Sequence, residues 1–171
     1  RRITISYVVI NCKNQFEFNI DAMDDYAKAI GKYDGHQIKG DTNVSLSFEE
    51  YEQGYEGNGN SQIYINFATM ATSDYYDVIF TDMDGAMACG DLDIFYPLDK
   101  YLDQSTYNKV KDRTIALKGS DGKEVPMIID ISDTELAKEL KLGYDDVYIG
   151  FPGDEQRNHD AVQDLLNYLF P

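Results

Sequence analysis

Hydrophobic residues fall along the chain in two rhythms, one of period two and one of three-and-four spacing. Residues 3–10 (Ile-Thr-Ile-Ser-Tyr-Val-Val-Ile) are rich in β-branched side chains and predict a strand. Ala22, Met23, Tyr26, Ala27 and Ile30 then follow at helical spacing, predicting a helix capped by Asn19 or Asp21 and stopped at Gly31. Val44, Leu46 and Phe48 alternate with Ser45 and Ser47, the pattern of a half-buried strand over 43–48. Residues 51–61 are polar and rich in Gly and Asn, and read as a loop. Ile63, Phe67 and Met70 predict a helix ending near Ser73. Val78-Ile79-Phe80, set between Asp77 and Asp82, is a short continuous apolar run that suits a strand buried on both faces.

The second half repeats the alternation. Residues 84–89 predict a short helix or turn, 95–98 an extended stretch holding Pro97, and 99–111 a helix with Tyr101, Leu102, Tyr107 and Val110 inward. Strands are expected over 113–117 and 125–131, joined by the turn Gly119-Ser120-Asp121-Gly122. Ser132-Asp133-Thr134-Glu135 has the form of a capping box opening a helix through Leu136 and Leu140 to Gly143. A strand over 147–151 follows. The last helix begins at Asn158 or Asp160 and turns Ala161, Val162, Leu165, Leu166 and Leu169 inward. Strands alternating with helices predict an α/β fold, a three-layer sandwich around a mostly parallel central sheet. No repeat or linker divides the chain, so 1–171 is expected to be one domain.

Composition narrows what such a domain does. Fifteen Lys+Arg against 31 Asp+Glu give a net charge of −16, which repels nucleic-acid phosphates and anionic membrane faces. No apolar run approaches the ~18–20 residues that span a bilayer, so the chain as given is expected to be soluble. It opens on Arg1-Arg2 without Met, the expected form of a processed or trimmed product, with any export signal or membrane anchor expected upstream. Cys12 and Cys89 lack metal-ligand spacing; a disulfide or two free thiols both fit. His36 and His159 lie in no triad pattern and are expected at the surface. There is no glycine-rich phosphate loop and no calcium-loop spacing, so neither a cofactor nor a resident metal is expected. Fourteen tyrosines, among them Tyr55, Tyr75, Tyr76, Tyr96, Tyr101 and Tyr148, could line a recognition surface or sit half-buried as structural rings.

Ligands of open parallel sheets bind beyond the carboxyl ends of the strands. Those segments here are 11–14, 81–84, 132–133 and 152–154, three of the four acidic. Thr81, Asp82, Asp84, Ser132 and Asp133 are therefore the candidate binding residues, with Asn11 and Cys12 beside them. Asp in these places also serves commonly as a helix cap or turn residue.

Two resemblances sharpen these candidates. From Gln62 to Leu102 the chain resembles the first lobe of bacterial extracellular solute-binding proteins. The resemblance rests on Asp74-Tyr75-Tyr76-Asp77-Val78-Ile79-Phe80, the short helix after it, and Tyr96-Pro97-Leu98-Asp99-Lys100-Tyr101-Leu102. Asp121-Gly122-Lys123 with Val125-Pro126 resembles that family's entry into the crossover between lobes, and 148–151 with the last helix its return to lobe one. Too few residues intervene for a second lobe. The resemblance implies a one-lobed, extracytoplasmic, membrane-tethered domain that binds a small-molecule solute or a cell-surface protein without catalysis. The alternative is Thr81-Asp82-Met83-Asp84-Gly85, which is similar to the first motif of haloacid dehalogenase-like phosphatases. That resemblance implies Mg²⁺-dependent phosphoester hydrolysis, with Asp82 as nucleophile and Asp84 as general acid. Gly153-Asp154 with Asp160 would then supply metal ligands. Ala86 and Met87 depart from that family's residues. A third reading is a cell-surface interaction or scaffold domain with a merely solvated acidic rim.

Overall fold

The β-branched opening segment forms β1 (Arg2–Ile10), and the rest of the sheet is laid down on both sides of it. The computed structural model describes residues 2–31, 36–54, 61–152 and 159–171. Five further strands follow in order: β2 (His36–Val44), β3 (Val78–Thr81), β4 (Thr114–Lys118), β5 (Glu124–Asp130) and β6 (Tyr148–Gly150). β2 and β3 lie parallel to β1, one on each side. β6 is antiparallel to β3, β5 to β6, and β4 to β5. Among the described residues these make one six-stranded mixed sheet, β2-β1-β3-β6-β5-β4. β5 thus points the same way as β1, β2 and β3, and the carboxyl ends of these four strands share one edge. The α/β class is as expected. Parallel pairing is confined to β2-β1-β3, because β6 enters mid-sheet from the opposite direction.

The helices are α1 (Asp21–Ala29), α2 (Phe48–Gly54), α3 (Ser61–Met70), α4 (Met83–Asp91), α5 (Leu98–Tyr101), α6 (Gln104–Val110), α7 (Glu135–Leu140) and α8 (His159–Leu169). Successive strand residues point to opposite faces, and the buried side chains divide accordingly. One cluster joins Ile5, Tyr7 and Val9 of β1 and Phe80 of β3 to residues of α1, α7 and α8. The other joins Val8, Ile10 and Ile79 to residues of α2, α3 and α4. All four residues of β3 are buried, as the unbroken apolar run predicts. None of the helices among the described residues is long and apolar enough to cross a membrane.

Several boundaries differ from the pattern, each for a local reason. The second strand is 36–44, not 43–48. It is an edge strand of mostly polar residues with two register shifts against β1, so it lacks the alternation that marks a half-buried strand. Leu46 is buried just past its end, and Phe48 begins α2 where a loop is expected to follow. The inward face of α3 is Tyr64 and Phe67, continued by Ala71 in a π-helical turn, while Ile63 points outward. The helix expected over 99–111 is broken at Leu102-Asp103 into α5 and α6. The helix expected at the capping box starts at Glu135 with Thr134 as its cap, its Oγ1 accepting from the Ala137 N–H at 3.3 Å. Asn158 lies outside the described residues, and α8 is described from His159.

Tyr7 gives a direct test of this packing. Its ring lies across Gly40 of β2, where a Cβ would collide with it, and meets Phe80 edge-on at 6.0 Å. Its hydroxyl is buried and has no hydrogen-bond partner among the described residues. Burial, with Asp24 and Asp41 nearby, pushes its pKa up to about 12. A buried donor without a partner is a net loss on folding. Tyr7→Phe is therefore expected to be neutral or to stabilise by up to about 1 kcal/mol in urea melts. The raised pKa leaves stability unaffected below the unfolded tyrosine value of about 10 and costs stability as pH rises from there through about 12, where the unfolded chain ionises first. Tyr7→Phe is expected to flatten that alkaline decline. A variant clearly weaker than the parent would mean that the hydroxyl is satisfied.

Candidate functional site

β1 ends at Ile10, and Asn11 turns the chain with φ +61, a left-handed conformation that Asn tolerates better than most residues. The turn aims its carboxamide along the carboxyl edge of the sheet. Nδ2 donates to the Leu46 carbonyl at 2.8 Å and to Asp82 Oδ1 at 2.9 Å, and Oδ1 accepts from the Leu46 N–H at 2.9 Å. One side chain thus ties together the ends of β1, β2 and β3. β1 and β3 flank the point where the strand order reverses, the usual ligand crevice of such sheets. The Asn11–Asp82 bond bridges that crevice from within.

Each candidate residue has a structural task. Asp82 caps α4, its Oδ1 also accepting from the Gly85 N–H at 3.0 Å, an arrangement worth about 1 kcal/mol. Asp84, exposed in the first turn of α4, accepts from the Phe48 N–H at 2.8 Å and so holds the start of α2. Thr81 is fully buried, and its hydroxyl donates to the Asp82 carbonyl at 2.9 Å, so it supports the edge from below. Ser132 Oγ accepts from the Val147 N–H at 2.9 Å and donates to Asp130 Oδ1 at 2.5 Å, clasping the end of β5 to the start of β6. Asp133 pairs with Arg113 at 2.6 Å. The Arg113 guanidinium holds its carboxyl below the usual range, and itself lies 4.6 Å from the centre of the Phe170 ring.

The edge therefore has two halves. Thr81 and Asp130 both face Tyr148 in the register, so Asp82 and Ser132 follow the ends of two strands, β3 and β5, that β6 holds about 10 Å apart at strand spacing. Asp82 and Asp84 gather around the start of α4, whereas Asp133 is engaged by Arg113. Among the described residues no three His, Cys, Asp or Glu side chains come together as a metal-binding set. Gly153 and Asp154 lie outside the described residues.

A strap closes the β1 side. The Leu142 carbonyl accepts from the Lys13 N–H and the Leu140 carbonyl from the Asn19 N–H, both at 2.9 Å. The Tyr144 hydroxyl donates to the Ile10 carbonyl at 2.7 Å. Burial, with Asp82 and Cys12 nearby, pushes the Tyr144 pKa up. Tyr144 is the edge residue that sequence reasoning misses. Its only signal is its place after Gly143, whose φ of +89 brings the strap against Lys13.

Cys12 and Cys89 are free thiols, packed with different core clusters. Burial pushes both pKa values up, opposed at Cys12 by a backbone hydrogen bond at Asn14. His159 is half-buried rather than surface-exposed, with Nε2 3.6 Å from Asp103 Oδ1 and its ring beside Tyr101. The side chain of His36 is outside the described set, as is Tyr55. Tyr76, Tyr101 and Tyr148 are buried and Tyr75 is exposed, so the tyrosines form internal packing more than one surface. No protein-family model matches the chain, and no curated protein matches it significantly.

Proposed function

We propose that this chain is an extracytoplasmic, membrane-tethered binding domain without catalysis, a three-layer sandwich built like the first lobe of a solute-binding protein. The observation that carries the reading is the placing of β6. A late strand returns antiparallel between β3 and β5, as a segment re-entering a lobe would, beside four strand ends that share one edge. Buried clusters on alternate strand positions, each with its own helices, support the layered arrangement. The tether and the compartment rest on the sequence resemblance alone.

Chemistry at the edge favours binding over hydrolysis. Asp82 Oδ1 accepts from both Gly85 and Asn11, a capping task that accounts for the carboxylate at this strand end without catalysis. Asp84 Oδ1 likewise has a structural task, accepting from the Phe48 N–H.

A thermal-shift screen with sugars, amino acids, polyamines and phosphoesters, each with and without Ca²⁺ or Mg²⁺, tests this reading. Binding to the native state alone raises stability by about 2.7 kcal/mol at a hundredfold excess over the dissociation constant. A saturable rise without turnover is expected if the ligand is a solute, and a flat response if it is a protein. Mg²⁺-dependent phosphoester turnover that Asp82→Asn abolishes would overturn the reading in favour of the phosphatase.

A further inference from the structure

The loop from β1 to α1 holds two apolar side chains in solvent on acidic ground. Phe16 is 101% exposed and Ile20 53%, whereas Phe18 between them folds inward, its ring 6.3 Å from that of Tyr7. The loop is pinned along its length. Besides the Lys13 and Asn19 bonds to the strap, Gln15 Nε2 donates to the Thr42 carbonyl at 3.0 Å. The Phe16 N–H donates to Asn14 Oδ1 at 3.0 Å, and the Glu17 N–H to the Asn14 carbonyl at 3.1 Å. Phe16 is thus held outward by an ordered backbone.

The surrounding charge selects the occupant. From 13 to 28 the chain carries Glu17, Asp21, Asp24 and Asp25 against Lys13 and Lys28 at its two ends, so acidic residues outnumber basic ones two to one. Glu17, Asp21 and Asp25 are exposed. A second copy would set like charges against each other, and an anionic membrane would be repelled. In the neighbouring β1–β3 crevice the Asn11 carboxamide and one oxygen each of Asp82 and Asp84 already hold internal partners, so fewer polar groups there are left for a small solute.

We propose that Phe16 and Ile20 form the docking point for a protein segment whose apolar side chains are flanked by Lys or Arg. This inference rests on the strand-end edge being the binding face, and it names a protein as the ligand. The test is selection from a random-peptide display library on the intact chain. Enriched peptides are expected to combine apolar with basic residues, to weaken as salt rises, and to lose about tenfold or more in affinity to Phe16→Ser. Ile63→Ser, at an exposed residue of α3, is expected to leave that affinity unchanged. Circular dichroism should match the parent in both variants, since neither side chain is buried. Failure to enrich such peptides, or enriched peptides indifferent to Phe16→Ser, would overturn the docking point. So would a Phe16-dependent monomer–dimer equilibrium, or Phe16-dependent binding to phosphatidylcholine vesicles. A solute hit in the thermal-shift screen without any peptide response would overturn the docking point alone and leave the binding-domain reading standing.

Discussion

Asn11→Ala is expected to destabilise the protein by roughly 3 kcal/mol, against a total for a domain of about 5–15 kcal/mol. The side chain makes three hydrogen bonds, two of them to the backbone of Leu46, whose residue is buried. Truncation leaves an N–H and a carbonyl there without partners, each worth about 1–3 kcal/mol when water cannot reach it. Ala must also hold φ +61, which costs roughly 1–2 kcal/mol that Asn partly avoids. Partial entry of water reduces the sum. For a chain of this size each kcal/mol moves Tm by about 2–4 °C, so a fall of roughly 6–12 °C is expected. Asn11→Gly separates the terms, because it relieves the backbone and loses the same hydrogen bonds. It should fall about 1 kcal/mol less than Asn11→Ala. Equal losses for both would place the whole effect in the side chain. A loss below about 1 kcal/mol would mean that solvent replaces the side chain and that the edge is open.

Gly85→Ala should also destabilise, by about 2–3 kcal/mol, and its sign is diagnostic. Gly85 lies within α4, and in an unhindered helix Ala is favoured over Gly by about 1 kcal/mol. Here a Cβ would overlap Thr81 Oγ1, come within 2.6 Å of Ile10 Cγ2 and lie 3.3 Å from Asn11 Nδ2. Thr81 and Ile10 are both fully buried, so neither can withdraw cheaply. The missing side chain is what lets α4 start directly on the ends of β1 and β3. Urea denaturation with an unchanged m-value gives the comparison. A neutral or stabilised variant would show that α4 stands further from the strand ends than these contacts require.

The sequence makes the central elements legible where burial dictates pattern. β1, β3 and the inward residues of α1 and α8 can be read directly, because each packs a continuous or periodic apolar set. β2 is hidden because an edge strand need not be apolar; Ile38 and Val44 are its only aliphatic positions in nine residues. The break between α5 and α6 is hidden because Tyr101 and Val110 both face the core across it. The antiparallel entry of β6 leaves no local trace, since a strand of three buried residues carries no direction. At the edge, residue types point to the right place and leave their work undecided. Asp82 and Asp84 are legible as residues at a strand end, yet only the fold turns them onto the N–H groups of Gly85 and Phe48. Ser132 reads as the start of a capping box, but Thr134 takes that task and Ser132 instead clasps β6.

Hydrogen exchange at four backbone amides tests the closed edge most directly. The N–H groups of Leu46, Phe48, Gly85 and Val147 are bound by the side chains of Asn11, Asp84, Asp82 and Ser132 respectively. None of the four belongs to a strand ladder, and each is the first amide to lose its partner if the edge opens. The account predicts that all four are protected in the parent protein and that Asn11→Ala releases Leu46 selectively, leaving Val147 unchanged. Exchange of these amides at the rate of exposed loop positions would contradict it, and would describe an open crevice ready for a small ligand.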